Sequence, residues 1–112
     1  MTNATTRFFE GIEARGHEPQ LEKVKATLRF DLTTGKQTNR WLVAVDKGDI
    51  AVSPKNLKAD CVLRTDGAVF DGIVTGEVNP LAAILRGQIG IEGDPEVLVR
   101  FRRLFPQPGR KS

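Results

Sequence analysis

Between residues 23 and 32 polar and apolar residues alternate: Val24, Ala26, Leu28, Phe30 and Leu32 fall on one side, and Lys23, Lys25, Thr27, Arg29 and Asp31 on the other. A period of two sends successive side chains to opposite faces, so this segment predicts an antiparallel strand with one wet face. Thr34-Gly35-Lys36 turns the chain, and residues 40–45 repeat the alternation with Trp41, Val43 and Val45 on one face. Asp46-Lys47-Gly48-Asp49 predicts a hairpin turn into a third strand at 50–53, stopped by Pro54. A short fourth strand is expected at 60–65, through Cys61 and Leu63.

Elsewhere the period is helical. Thr5 or Thr6 caps a first helix carrying Phe8, Phe9 and Ile12, with Gly16 at its natural stop. Asp66 opens a helix at 66–75 with Val69, Phe70, Ile73 and Val74, ended by Gly76. Asn79-Pro80, a cap followed by proline in the first turn, starts a short helix at 79–86 with Leu81, Ile84 and Leu85, and Gly87 stops it. A fifth strand at 88–92 carries Ile89 and Ile91 on one face. Asp94-Pro95 repeats the cap-plus-proline start for a helix at 94–105 presenting Val97, Leu98, Phe101, Leu104 and Phe105, ended by Pro106. One-sided strands must bury their apolar face, and the four helices are the material available. The expectation is therefore an α+β domain: one five-stranded, mostly antiparallel sheet covered on one side by helices.

At 112 residues the chain is sized for a single domain over 1–112, with a core at about 5–105 and a basic tail at 106–112. Its apolar fraction of 39% and charged fraction of 28% are those of an ordinary globular protein. The net charge of +3 would suggest a polyanion binder if the charge were spread over a face. It is not: Arg100, Arg102, Arg103, Arg110 and Lys111 account for all of the excess, and the remainder is slightly acidic. No nucleic-acid partner is expected, and a basic helix end also complements the helix dipole. The polar N-terminus and single cysteine lead to a cytoplasmic expectation, with no peroxisomal Ser-Lys-Leu ending.

Catalytic material is scarce. His17 is the only histidine and follows Gly16 in a loop; Cys61 is the only cysteine and sits mid-strand among apolar neighbours. Together they fall short of a zinc site, and a mid-strand cysteine reads as a small buried hydrophobe. Ser53 precedes a proline and Ser112 is terminal, so neither is a positioned nucleophile. Asp66 and Asp94 are accounted for as helix caps, while Asp71 and Glu77 fall at the wet side or end of a helix. The glycines at 87, 90 and 93 follow G-x-x-G-x-x-G in a strand pattern, which is not a dinucleotide fingerprint. The expectation is no catalysis, no metal and no cofactor. By contrast the helices carry paired apolar positions beyond what a cover needs; periodicity cannot distinguish a packed core from a lined cavity.

Several pieces in order resemble the sterol carrier protein 2 family: Thr27-Leu28-Arg29-Phe30-Asp31-Leu32, Trp41-Leu42-Val43, Asp46-Lys47-Gly48, Ala59-Asp60-Cys61, Gly76-Glu77-Val78-Asn79-Pro80 with Ala82-Ala83, and Gly90-Ile91-Glu92-Gly93-Asp94. The resemblance implies a sheet covered by helices around an apolar tunnel, and non-catalytic binding of a sterol, fatty acid, acyl-CoA or phospholipid. It places the ligand between the sheet and the helices at 66–75, 79–86 and 94–105. Trp41, Val43, Phe70, Ile73, Val74, Leu81, Ile84, Leu85, Ile89, Phe101, Leu104 and Phe105 are then its expected lining. The last helix is the expected gate, and its cations are suited to transient contact with an anionic membrane surface. The alternative is an interaction module whose apolar surface docks an enzyme partner or a second copy; a small acyl-thioester hydrolase would need an accessible Cys61.

Overall fold

The computed structural model describes residues 4–54 and 57–101. Strands β1 (Lys25–Thr34) and β2 (Gln37–Asp46) form a long antiparallel hairpin in unbroken register, from Lys25 opposite Asp46 to Thr34 opposite Gln37. Opposed residues in such a pair share a face. Leu28 with Val43 and Phe30 with Trp41 therefore build one apolar surface. β3 (Asp49–Ser53) returns along β2 after a turn in which Lys47 (φ 53°) and Gly48 (φ 90°) both take positive φ. That is the backbone of a type I′ hairpin, whose twist matches the strands it joins. Gly48 is also fixed sterically, because a Cβ there would lie 2.8 Å from His17 Cε1.

β4 (Cys61–Asp66) does not extend the meander beside β3. It pairs parallel with β1, Leu28 opposite Cys61, and β5 (Ile89–Gly93) then pairs antiparallel with β4. The order is β3-β2-β1-β4-β5, antiparallel except at the β1–β4 seam. Gly93 closes the β4–β5 ladder opposite Cys61 at φ 89°, where a Cβ would stand 2.4 Å from the Asp60 carbonyl oxygen. This close approach explains the third glycine of the Gly-rich stretch without any ligand.

The helices are α1 (Ala4–Arg15), α2 (Gly67–Thr75), α3 (Pro80–Leu85) and α4 (Pro95–Phe101). Asn79 caps α3 as its sequence predicts, its side chain accepting from the Leu81 and Ala82 N–H groups, and Asp94 accepts from the Glu96 N–H at 2.9 Å. Asp66 stands at the N-cap of α2 but makes no side-chain cap hydrogen bond. A 3-10 turn at Pro19–Leu21, capped by Glu18, was not visible in the periodicity. The expected course of the last helix beyond Phe101, including its stop at Pro106, lies outside the described residues.

The inner face holds one cluster of buried side chains, including Phe9, Leu28, Phe30, Val43, Cys61, Phe70, Ile73 and Phe101. The outer face corrects the expectation of a wet surface. The connection from β3 to β4 has to cross it, and Arg29 Nη1 donates to the Leu57 carbonyl on that connection at 3.1 Å. Leu42 and Val62 are buried on this face, and so is Asp31, at 5% exposure. Asp31, assigned to water by alternation alone, lies where Arg29, Arg40 and Arg64 converge on its carboxylate.

Candidate functional site

The structure brings most of the expected lining into one layer between sheet and helices. Val43, Phe70, Ile73, Ile89 and Phe101 are buried there, and Trp41, Val74 and Ile84 pack partly buried against them. Leu81 and Leu85 are a correction. They lie on the outer side of α3, 64% and 79% exposed. The inward residue is Ala83, fully buried, whose carbonyl accepts from the Gln88 N–H at 2.9 Å. The tight turn into β5 holds α3 so close to the sheet edge that a methyl group fills the contact, and this rotates the two leucines outward. Leu104 and Phe105 lie outside the described residues.

Phe9 of α1 is missing from the expected lining yet stands at its centre. Its ring stacks on Trp41 (4.6 Å, 11°) and on Phe70 (5.7 Å, 6°), a column of three near-parallel rings. Phe30 meets Phe9 and Phe70 edge-on at 5.2 and 5.3 Å. The signal was the Phe8-Phe9-Ile12 stripe, which marks an inward face but not which strands it meets.

Beside this column a cleft of about 720 Å³ opens at the end of the β1–β2 hairpin. Trp41 and Leu32 form its apolar wall; Thr5, Thr6, Thr34, Thr38, Asn39, Arg40 and Asp71 supply polar groups, with Gly67 and Ala68 of α2 alongside. Asp71, expected on a wet helix side, instead ties two helices together. It accepts from the Thr5 backbone N–H at 3.1 Å and from the Thr5 hydroxyl.

Several charges outside the layer are paired. Arg29 holds Asp31 bidentately at 2.8 and 3.0 Å, the strongest form of such a contact. Arg64 stands 3.5 Å from Asp31 and pairs with Glu92 at 2.8 Å, while Arg40 Nε is 3.7 Å from Asp31. His17 joins the end of α1 to the β2–β3 turn through a 2.7 Å contact with Asp49, which raises its pKa above the ordinary value; desolvation opposes this, and Glu22 at 3.5 Å adds to it. Cys61 is fully buried, and burial followed by the charge of Asp94 pushes its thiol pKa up. A protonated, covered thiol gives a thioesterase reading no nucleophile at this position. Of the expected basic contacts, Arg100 is half exposed and 3.7 Å from Glu96, and Arg102 and Arg103 lie outside the described residues. Among the described residues no group of His, Cys, Asp and Glu is placed to hold a metal ion, and no helix is long and apolar enough to cross a membrane.

A family model described as "SCP-2 sterol transfer family" matches residues 7–106. The chain belongs to this family. Human sterol carrier protein 2 is 33% identical over 101 residues, covering 88% of this chain but 18% of that protein. The chain thus spans a quarter or less of the length of curated relatives such as this one and a Xenopus laevis hydroxysteroid dehydrogenase-like protein 2. The sterol carrier protein domain 2 of Helicoverpa armigera superposes with a TM-score of 0.75 at 19% identity, covering 98% of this chain and 92% of that one. Aedes aegypti sterol carrier protein-2, solved with palmitate, superposes at 0.71 and 16% identity over 95% and 100%. At these identities the structures establish the shared SCP-2 fold, including the five-stranded sheet and its helical cover.

Proposed function

We propose that this SCP-2 domain binds and transfers an apolar, lipid-like ligand without catalysing a reaction. The observation that carries the reading is the layer of Trp41, Val43, Phe70, Ile73, Val74, Ile84, Ile89 and Phe101 between sheet and helices, in a chain whose family is the sterol transfer family. The palmitate complex of the mosquito relative supports a fatty acyl tail as one ligand. A sixteen-carbon tail offers about 12 kcal/mol of gross transfer energy at roughly 0.8 kcal/mol per methylene, and association costs of about 4–15 kcal/mol offset much of it. The resulting affinity is around micromolar, suited to a carrier that also releases. Titration with fluorescent fatty acid and sterol, read by quenching of Trp41, is the test. Saturable micromolar binding is expected, and no saturable binding of any lipid class would overturn the reading.

The exposed Leu81 and Leu85 favour a second reading, in which α3 docks a partner chain or a second copy. A dimer at low concentration, abolished by substituting these leucines and accompanied by no lipid uptake, would establish it in place of the first.

A further inference from the structure

The two edge strands of the sheet are finished differently. β3 is closed by the chain that leaves α1: the Ile50 N–H donates to the Gly16 carbonyl at 2.8 Å, the Glu18 N–H donates to the Gly48 carbonyl at 2.9 Å, and His17 makes a β-bridge to Asp49. β5 has no such cover. Among the described residues it pairs with β4 alone, and no backbone hydrogen bond from outside the sheet reaches Ile89–Gly93. An open edge is a template for another strand, and proteins that stay single blunt it with lysine, proline or a bulge. Ile89-Gly90-Ile91-Glu92-Gly93 has neither residue and follows β4 residue for residue. The helix packed on this strand is α3, whose Leu81 and Leu85 are the exposed leucines already described.

The side chains of β5 suit pairing with a copy of the same strand. Opposed residues in an antiparallel pair share a face. A two-fold axis through Ile91 sets Ile91 against itself, Ile89 against Gly93 of the second copy and Gly90 against its Glu92, so all five residues are engaged. On β4 the neighbour of Gly90 is Arg64. The outer face of the seam then reads Arg64, Gly90, Glu92 of the second copy, with no side chain on the glycine to separate the two charges. They stand two strand spacings apart, about 10 Å, a gap that an extended arginine and glutamate close together. The symmetry makes the contact twice. Within one copy Arg64 already pairs with Glu92 at 2.8 Å while both remain about half exposed, so four charges of alternating sign meet. An axis through Glu92 would instead oppose two glutamates, which like charges disfavour.

We infer that β5 pairs antiparallel with β5 of a second copy of this chain, about a two-fold axis at Ile91, and so joins the two sheets into one. The axis is perpendicular to the sheet, so both helical layers lie on the same face and each α3 stands beside the seam. The pairing leaves the layer between sheet and helices to a ligand and is independent of lipid carriage. In naming a partner for the leucines of α3 it rests on the docking reading.

Sedimentation equilibrium tests it. The wild-type protein is expected to show a concentration-dependent dimer. Arg64→Glu and Glu92→Arg, each alone, turn both cross-copy attractions into repulsions and should raise the dimer Kd at least about tenfold. An equimolar mixture of the two variants restores opposite charges at both contacts and should return the Kd close to that of the wild type. In dimers mixed from isotope-labelled and unlabelled wild-type protein, an NMR contact between the Ile91 side chains of the two copies is expected, a measurement that needs no variant to fold. A monomer up to the solubility limit, a dimer indifferent to both charge reversals, or the absence of the Ile91 contact would overturn the inference. Charge-dependent dimerisation that ignores Leu81→Ser combined with Leu85→Ser would uphold the β5 seam and overturn the docking reading of α3. A dimer lost with those leucines but blind to the charges would do the reverse.

Discussion

Under α1 the inner face of the sheet meets Phe9, stacked between Trp41 and Phe70 and braced by Phe30, with Ile12 buried one turn further on. Under α3 it meets Ala83, with Ile84 half buried beside it and Leu81 and Leu85 turned to solvent. Both helices cover the same sheet. The first is anchored by large aromatic area and by the His17–Asp49 contact at its end; the second is held by a methyl group, a capped N-terminus and the turn into β5. Buried apolar area sets most of the cost of separating a helix from a sheet. The α1 end is therefore the firm part of the domain, and α3 is the part of the cover that opens at least cost. Val97 and Phe101 of α4 are both buried, while the course of that helix beyond Phe101, on which its expected role as gate depends, lies outside the described residues.

The largest effect that separates the two regions is expected from Phe9→Ala. Phe9 is fully buried and touches four other rings. Truncation should cost about 3–5 kcal/mol of stability in denaturant unfolding. A loss below about 1 kcal/mol would erase the contrast, because the aromatic column would then not be the anchor.

Next comes Ile84→Trp on the loosely held helix. If α3 yields as its packing indicates, the added bulk fills ligand space: lipid titration loses its saturable phase while stability falls by less than about 1 kcal/mol. Unchanged lipid binding together with a destabilisation of about 1–3 kcal/mol would instead identify that space as packed core.

A smaller effect is expected at the staple that closes the α1 end. The folded-state pKa of His17 is raised, chiefly by Asp49. Its stabilising contribution is then fully present below the unfolded-state value of about 6.5 and is lost as pH rises through the folded value. The difference in Tm between wild type and His17→Asn should shrink across that interval and diminish with added salt, as exposed pairs do. A difference that grows with pH would contradict the pairing with Asp49.

The smallest effect is expected from Leu85→Ser. At 79% exposure on the outer side of α3, it should change stability by no more than about 0.5 kcal/mol and leave lipid affinity unaltered. A marked loss of binding would return this leucine to the lining and mean that α3 rotates when it opens.

The amino-acid sequence by itself determined most of the elements and, α3 excepted, the inward faces of the helices. Alternation at residues 23–32 and 40–45, the Asp46–Asp49 turn and the Asn79-Pro80 and Asp94-Pro95 starts are local signals, each read from neighbours along the chain, and each reappears in the structure. They sufficed for the α+β layout and for placing Val43, Phe70, Ile73, Ile89 and Phe101 in one layer. Tertiary structure alone decided that β4 lies beside β1 and not beside β3. Alternation is identical for parallel and antiparallel partners, so the β1–β4 seam left no trace in it, and neither did the burial of Asp31 and Leu42 on the outer face. The rotation of α3 was likewise set by its turn into β5, which overrode an apolar stripe too short, over six residues, to fix the helix by itself. The Arg40 cleft joins residues from α1, β1, β2 and α2, and only their packing brings that arginine, that indole and those hydroxyls to one place.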